Sequence, residues 1–66
     1  MKIKDKIDMI SKVRNLHEDL EIALKSKSVF LLNQYKDKVY NIMKSYGVSD
    51  VDIEVEIAKQ IYFILF

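Results

Sequence analysis

The chain has 66 residues, of which half are hydrophobic and 32% are charged, and its formal net charge is +1. It contains no cysteine, no proline, one glycine and one histidine. This composition excludes a disulfide framework, a thiolate metal site and a glycine-rich phosphate loop, and the charge balance provides no overall attraction to nucleic acid. We therefore expect residues 1–66 to form a single small helical domain.

The first segment predicts an amphipathic helix over about residues 2–26. Apolar side chains recur every three or four residues and form one stripe, while lysines and acidic residues occupy most other positions. The stripe consists of Ile3, Ile7, Ile10, Val13, Leu16, Leu20 and Leu24. Charged residues among the first six positions leave no uninterrupted apolar stretch, so we expect no secretory signal and a cytoplasmic location.

A second helix is predicted over about residues 28–46. The run Lys25-Ser26-Lys27-Ser28 before it has the composition of a loop, and either serine is a suitable N-cap. Apolar residues then resume at helical spacing. Because this second stripe continues the first almost in phase, one unbroken helix over residues 3–46, paired as a coiled coil, is the alternative to a helical hairpin.

The clearest local signals surround residues 46–49. Gly47 suits the left-handed position just past a helix end, because it has no Cβ atom to clash with the backbone. Ser49, with Asp52 three residues later, is similar to a capping box, and Val48 with Ile53 would form the hydrophobic staple that accompanies one. These residues predict that one helix ends near residue 46 and that another begins near residue 50.

Residues 51–57 alternate strictly between apolar and acidic side chains, which taken alone is a strand pattern. No other segment offers a partner strand, so a strand here would have to pair with its copy in another chain. The capping signals favour a third helix over about residues 50–65 instead. Residues 61–66 are apolar on every side, which is not typical of a surface helix in a monomer.

The sequence predicts no catalytic site, cofactor or metal site. His17 is the only imidazole, and with Glu21 one helical turn later it offers two ligands, whereas a specific metal site needs three or four. Serines and carboxylates are plentiful, but no motif places a serine beside a base or a carboxylate in a desolvated pocket. We therefore expect no enzyme activity.

A chain of this size without crosslinks leaves much of its apolar surface uncovered when it folds alone. We therefore predict an all-α protein, a three-helix unit of a helical hairpin and an apolar C-terminal helix, assembled into a homo-oligomeric bundle. The predicted oligomer interface comprises Val55, Ala58, Ile61, Tyr62, Leu65 and Phe66. The predicted function is that of a non-catalytic protein–protein interaction module, such as an adaptor, inhibitor or regulatory subunit, with itself and another protein as partners.

Two other functions are less favoured. One is a nucleic-acid-binding regulator that uses the lysine-rich face of helices one and two, although lysines on a helix usually form a solvated face. The turn at Gly47 resembles that of a helix-turn-helix unit, but the helix after it would expose four acidic residues and one base to the phosphate backbone, which opposes binding. The apolar end of the third helix is a possible membrane-surface anchor. Such helices usually carry a basic polar face, whereas this one is acidic.

Overall fold

The computed structural model describes residues 2–66 and confirms that the chain is all-α. It contains four helices, and the described range includes no strand. The helices are α1 (Ile3–Arg14), α2 (His17–Lys25), α3 (Val29–Ser45) and α4 (Asp50–Leu65). The alternative of an intermolecular strand over residues 51–57 is therefore wrong, since α4 covers that segment. The chain measures 36 × 17 × 17 Å along its principal axes.

The helix predicted over residues 2–26 is present as two segments, α1 and α2, which are separated by Asn15 and Leu16. Leu16 has φ −92° and ψ 0°, and its N–H donates to the Val13 carbonyl three residues back instead of four. This tightened turn ends α1 without a glycine or proline. Residues 15 and 16 carry no strong helix-breaking signal, so the sequence pattern alone does not separate α1 from α2.

The chain reverses direction between α2 and α3, so the alternative of one unbroken helix over residues 3–46 is also wrong. Lys27 has a φ of 54°, in the left-handed region, and its N–H donates to the Leu24 carbonyl at 3.3 Å. The Ser28 N–H donates to the Ala23 carbonyl at 3.1 Å, which completes a Schellman motif. The Ser28 hydroxyl then caps α3 by accepting from the Leu31 N–H at 3.2 Å.

The turn between α3 and α4 repeats the same motif with the residue best suited to it. Gly47 has a φ of 82° and donates to the Lys44 carbonyl at 3.0 Å, while the Val48 N–H donates to the Met43 carbonyl at 3.2 Å. The Ser49 hydroxyl accepts from the Asp52 N–H at 3.3 Å and so forms the N-cap of α4. Gly47 and Ser49 therefore lie at the helix end and helix start that the sequence predicts for them.

The core lies mainly between α2, α3 and α4. Its largest fully buried side chains are Tyr35 and Val39 of α3, Leu20 of α2 and Ile53 of α4. From α1, only Met9 and Val13 are buried. Leu16, Leu24, Ile61 and Ile64 pack around this cluster while partly buried. The third helix thus contributes three buried residues to the core, and each of the other three helices contributes two.

The N-terminal end of the predicted apolar stripe is not part of the core. Ile3, Ile7 and Ile10 are all exposed, and Met9 is buried in their place. Met9 begins a different series with Val13 and Leu16, at steps of four and three, which is equally compatible with helical geometry. Packing against α3 selects the second series and leaves the three isoleucines on the surface of α1.

Two polar clusters tie α3 to its neighbours, and each lowers the pKa of an aspartate. The Tyr46 hydroxyl donates to the Asp8 carboxylate and accepts from the Lys12 ammonium at 2.9 Å, which joins α1 to the end of α3. The hydrogen bond from Tyr46, followed by the one from Lys12, holds the pKa of Asp8 below its usual value.

At the junction of α3 and α4, Asp50 accepts from Lys44 at 2.5 Å and from Tyr40 at 3.1 Å, and these bonds lower the pKa of Asp50 in the same way.

Replacement of Asp50 by asparagine should reduce the sensitivity of the fold to acid. An aspartate with a lowered pKa in the folded state stabilises the fold fully above its unfolded value, which is 3.8. That stabilisation is lost as the pH falls below 3.8 through the lower folded pKa. We expect thermal unfolding, measured by circular dichroism between about pH 6 and about pH 2, to show a smaller acid-induced decrease of Tm for Asp50→Asn than for the unmodified chain.

The control for this experiment is Asp37→Asn. Asp37 is exposed and forms no ion pair with any of residues 2–66. Its replacement should leave the acid-induced decrease of Tm as in the unmodified chain. If both variants gave the same curve as the unmodified chain, the contact of Asp50 with Lys44 would have no part in acid unfolding.

Candidate interaction surfaces

An extended apolar surface lies on the solvent side of α4. Five residues at alternating steps of four and three form one face of this helix, which we call the outer face: Val51, Val55, Ala58, Tyr62 and Leu65. All five are exposed, and Val55, Tyr62 and Leu65 show 48%, 61% and 58% of their surface to solvent. This spacing is that of the a and d positions of a coiled coil, which normally face another helix.

The opposite side of α4 is occupied by the core of its own chain. Ile53 and Ile57 are buried, and Ile61 and Ile64 are partly buried against the same cluster. Of the six residues predicted to form the interface, five are exposed, whereas Ile61 belongs to this inner side. Phe66, the last of the six, lies with its ring 4.7 Å from that of Tyr62 in a stacked arrangement. The two aromatic rings thus form one exposed unit at the end of the outer face.

Charged side chains flank the outer face unequally. On one flank lies Glu54, and on the other lie Asp52 and Lys59, as the angle of about 100° per residue requires. None of these three residues forms an ion pair with another side chain within residues 2–66. As a whole, α4 contains four acidic residues and one base, so its net charge is −3.

A second apolar surface is a groove between α1 and α4, which we call the α1/α4 groove. It has a volume of about 630 Å³ and is open to solvent. Met9, Val13 and Met43 form its apolar base, while Ile10 of α1 and Phe63 of α4 stand on its two sides. Methionine side chains adapt to the shape of a partner more easily than branched ones, so this base suits an apolar protein surface.

The two rims of the groove carry opposite charge. Lys6, Arg14 and His17 line the α1 side, whereas Glu56 and Gln60 line the α4 side and are joined by a 3.0 Å hydrogen bond. Lys6 and Arg14 are exposed and have no ion-pair partner in the described part of the chain. The groove therefore offers an apolar base with two uncompensated cations on one rim.

This groove cannot be predicted from the sequence, because its existence depends on the distance at which α1 and α4 pack on α3. From the sequence, the residues that line it could be assigned only to separate helix faces. One signal did point toward it. Residues 2–14 contain five bases and two acids, whereas residues 48–66 contain one base and four acids, so the two walls come from segments of opposite charge.

The surface area of the chain is large for its mass. It exposes 5030 Å², whereas a folded monomer of 7.8 kDa exposes about 4,400 Å² on average. The excess of about 600 Å² approaches the area of about 800 Å² that one partner buries in a typical protein interface. The exposed isoleucines of α1 and the outer face of α4 contribute to this excess.

Groups that perform chemistry are sparse in the described residues. His17 and Glu21 approach to 3.4 Å on an exposed face of α2, and residues 2–66 contain no cluster of three or more side chains able to share a metal ion. Within the same range, no helix has both the length and the apolar character that crossing a membrane requires.

The Tyr35 side chain is buried, and burial raises the pKa of its phenol, with the nearby Glu56 carboxylate acting in the same direction. A phenol of raised pKa remains neutral, as a core residue should. Tyr35 therefore contributes to packing and offers no activated group at the surface.

Comparison of the sequence with protein-family models and curated proteins, and of the fold with solved structures, finds no match to this chain.

Proposed function

We propose that this protein is a non-catalytic protein–protein interaction module that acts as a homo-oligomer through the outer face of α4. The observation that carries this proposal is the row Val51, Val55, Ala58, Tyr62 and Leu65, which has coiled-coil spacing and faces solvent although α4 already packs its other side in the core. In this role the protein serves as an adaptor, inhibitor or regulatory subunit of another protein.

The free energy gained by covering apolar surface favours association of the chain over permanent exposure of the outer face. The excess of about 600 Å² counts polar and apolar surface together. With the apolar share of about 65% found in homodimer interfaces, and about 25 cal/mol per Å² of apolar surface, it corresponds to roughly 10 kcal/mol per chain before the costs of association. Those costs amount to several kcal/mol or more. The remaining margin is compatible with an oligomer at micromolar concentration, for which about 8 kcal/mol is sufficient.

The charge distribution favours a protein partner over nucleic acid. Most of the affinity for nucleic acid comes from lysine and arginine residues that neutralise phosphates. The helix after the turn at Gly47 would have to approach the duplex with Asp50, Asp52, Glu54 and Glu56. These carboxylates would repel the phosphate backbone, whereas an interface between proteins tolerates acidic residues at its edge.

The double substitution Val55→Glu with Tyr62→Glu tests the proposal. Truncation of a central aromatic residue in an interface commonly costs about 2 kcal/mol or more, and a buried unpaired carboxylate adds to that cost. We therefore expect association to weaken at least about thirtyfold. Sedimentation equilibrium should give a mass above 7.8 kDa for the unmodified chain and the monomer mass for the variant, with unchanged helical circular dichroism.

The matched control is Val29→Glu with Phe30→Glu. Both residues are exposed apolar side chains in the first turn of α3, where a carboxylate is also favourable to the helix dipole. This variant should retain the mass of the unmodified chain. A stable monomer of the unmodified chain at micromolar concentration, or a Val55/Tyr62 variant of unchanged mass, would refute the proposal.

A further inference from the structure

We infer that the outer face of α4 in one copy of the chain docks into the α1/α4 groove of a second copy. This inference rests on the proposed self-association and identifies the receptor surface for it. The contact is heterologous, because two different surfaces meet, and each copy carries one of each.

Shape is the first argument. The outer face is an apolar ridge along a helix of sixteen residues, and the groove is an open apolar channel between two helices. An amphipathic helix in a hydrophobic groove is a recurrent mode of recognition. The ridge from Val51 to Leu65 spans about 21 Å at 1.5 Å per residue. The groove wall from Lys6 to Arg14 spans about 12 Å, so the central part of the ridge, around Val55, Ala58 and Tyr62, is sufficient to fill it.

Charge complementarity is the second argument, and it favours a second copy over an unrelated helix. The α1 rim presents Lys6 and Arg14 without ion-pair partners among residues 2–66, and α4 presents Glu54 beside its outer face, also without one. On the other side, Lys59 of the docked helix would face the α4 rim, where Glu56 lies. One orientation of the docked helix therefore places Glu54 near the cations of the α1 rim and Lys59 near Glu56. Asp52, on the same flank as Lys59, lies one helical turn before Val55 and so outside the central part of the outer face.

The two surfaces have different centres on α4, and Glu56 and Phe63, which line the groove, also border the outer face. The groove uses Glu56, Gln60 and Phe63, whereas the outer face is centred on Val55 and Tyr62. At about 100° per residue, Val55 and Gln60 are about 140° apart around the helix. One copy can thus receive a second copy in its groove while its own outer face docks into a third. Such a contact produces either a closed ring of copies or an open filament whose length increases with protein concentration.

Two variants that each lack one surface test the inference. The groove variant is Lys6→Glu with Arg14→Glu, which replaces the cations of the α1 rim by acidic residues on the side where Glu54 of the docked helix would lie. The face variant is Val55→Glu with Tyr62→Glu. We expect each variant alone to associate at least about tenfold more weakly than the unmodified chain. An equimolar mixture of the two variants should form a 1:1 complex and no larger assembly. In each such complex the groove variant supplies the only intact outer face, and the face variant supplies the only intact groove.

The control is Lys25→Glu with Lys36→Glu, which makes the same change of charge at exposed positions outside the groove. This variant should associate like the unmodified chain.

One outcome contradicts the inference alone: the groove variant still assembles, and its mixture with the face variant gives no mixed complex. The outer faces would then pair with each other, so the inference would be wrong while the proposed function stands. If both variants and their mixture remain monomeric, the inference is also wrong. An unmodified chain that is monomeric overturns both.

Discussion

Replacement of Leu20 by alanine should lower the free energy of unfolding by about 2 to 5 kcal/mol. Leu20 has 0% of its surface exposed and lies in the cluster that joins α2 to α3 and α4. Its truncation removes apolar contacts and leaves a cavity that the surrounding helices fill only in part. At about 0.05 to 0.15 kcal/mol per residue, a chain of this length has a total stability of roughly 3 to 10 kcal/mol. This one substitution should therefore remove a large fraction of it.

Ile22→Ala is the matched control for Leu20→Ala. It lies two residues further along the same helix and removes a side chain of the same composition, but Ile22 has 50% of its surface exposed. We expect a loss below about 1 kcal/mol, because much of this side chain is already in water. Urea unfolding, followed by circular dichroism at one protein concentration for all variants, measures both values. Equal losses at the two positions would contradict the burial pattern of α2.

Gly47→Ala and Lys27→Gly should change stability in opposite directions. Both residues occupy the same position of a Schellman motif and have positive φ angles of 82° and 54°. A left-handed conformation costs a residue with a Cβ atom roughly 1 to 2 kcal/mol, so Gly47→Ala should destabilise the fold by about that amount. An added Cβ at Gly47 would meet no atom within 4 Å, so this cost arises from the backbone alone.

Lys27→Gly removes the same strain at the end of α2. Lys27 is exposed and forms no ion pair in the described range, so its side chain contributes little that the glycine would lose. The gain should be at most about 1 kcal/mol, because glycine also has more conformational freedom in the unfolded chain. The two midpoints of urea unfolding should lie on either side of that of the unmodified protein. A stabilising Gly47→Ala would show that the turn at the end of α3 can adopt another conformation.

The parts of the fold that could be predicted are those determined by neighbouring residues. Gly47 and Ser49 define a helix end and a helix start by hydrogen bonds within five residues, so their roles could be inferred without knowledge of packing. The same local signals distinguished a helix from a strand over residues 51–57. Here the strict alternation of apolar and acidic residues is misleading, because both an inner and an outer apolar face use the same segment.

Features that depend on packing between helices could not be predicted in this way. In the segment from Ile3 to Leu16, the series from Ile3 to Ile10 and the series from Met9 to Leu16 have the same helical spacing, and only packing against α3 distinguishes them. The interruption at Asn15 and Leu16 likewise has no composition signal. For the candidate site, the outer face was accessible from spacing alone, but Ile61 was assigned to the interface because the apolar run 61–66 does not show which residues point inward.

Because α4 carries two apolar faces, it should tolerate random substitution less than any other part of the chain. Inner residues such as Ile53 and Ile57 are buried in the core, and under the proposed self-association outer residues such as Val55 and Tyr62 would be needed for assembly, so few of its sixteen positions would be neutral. The exposed side of α2, by contrast, should accept many side chains. Selection for folding alone, in a library of variants, should therefore conserve only half of this helix, whereas selection for assembly should conserve both sides.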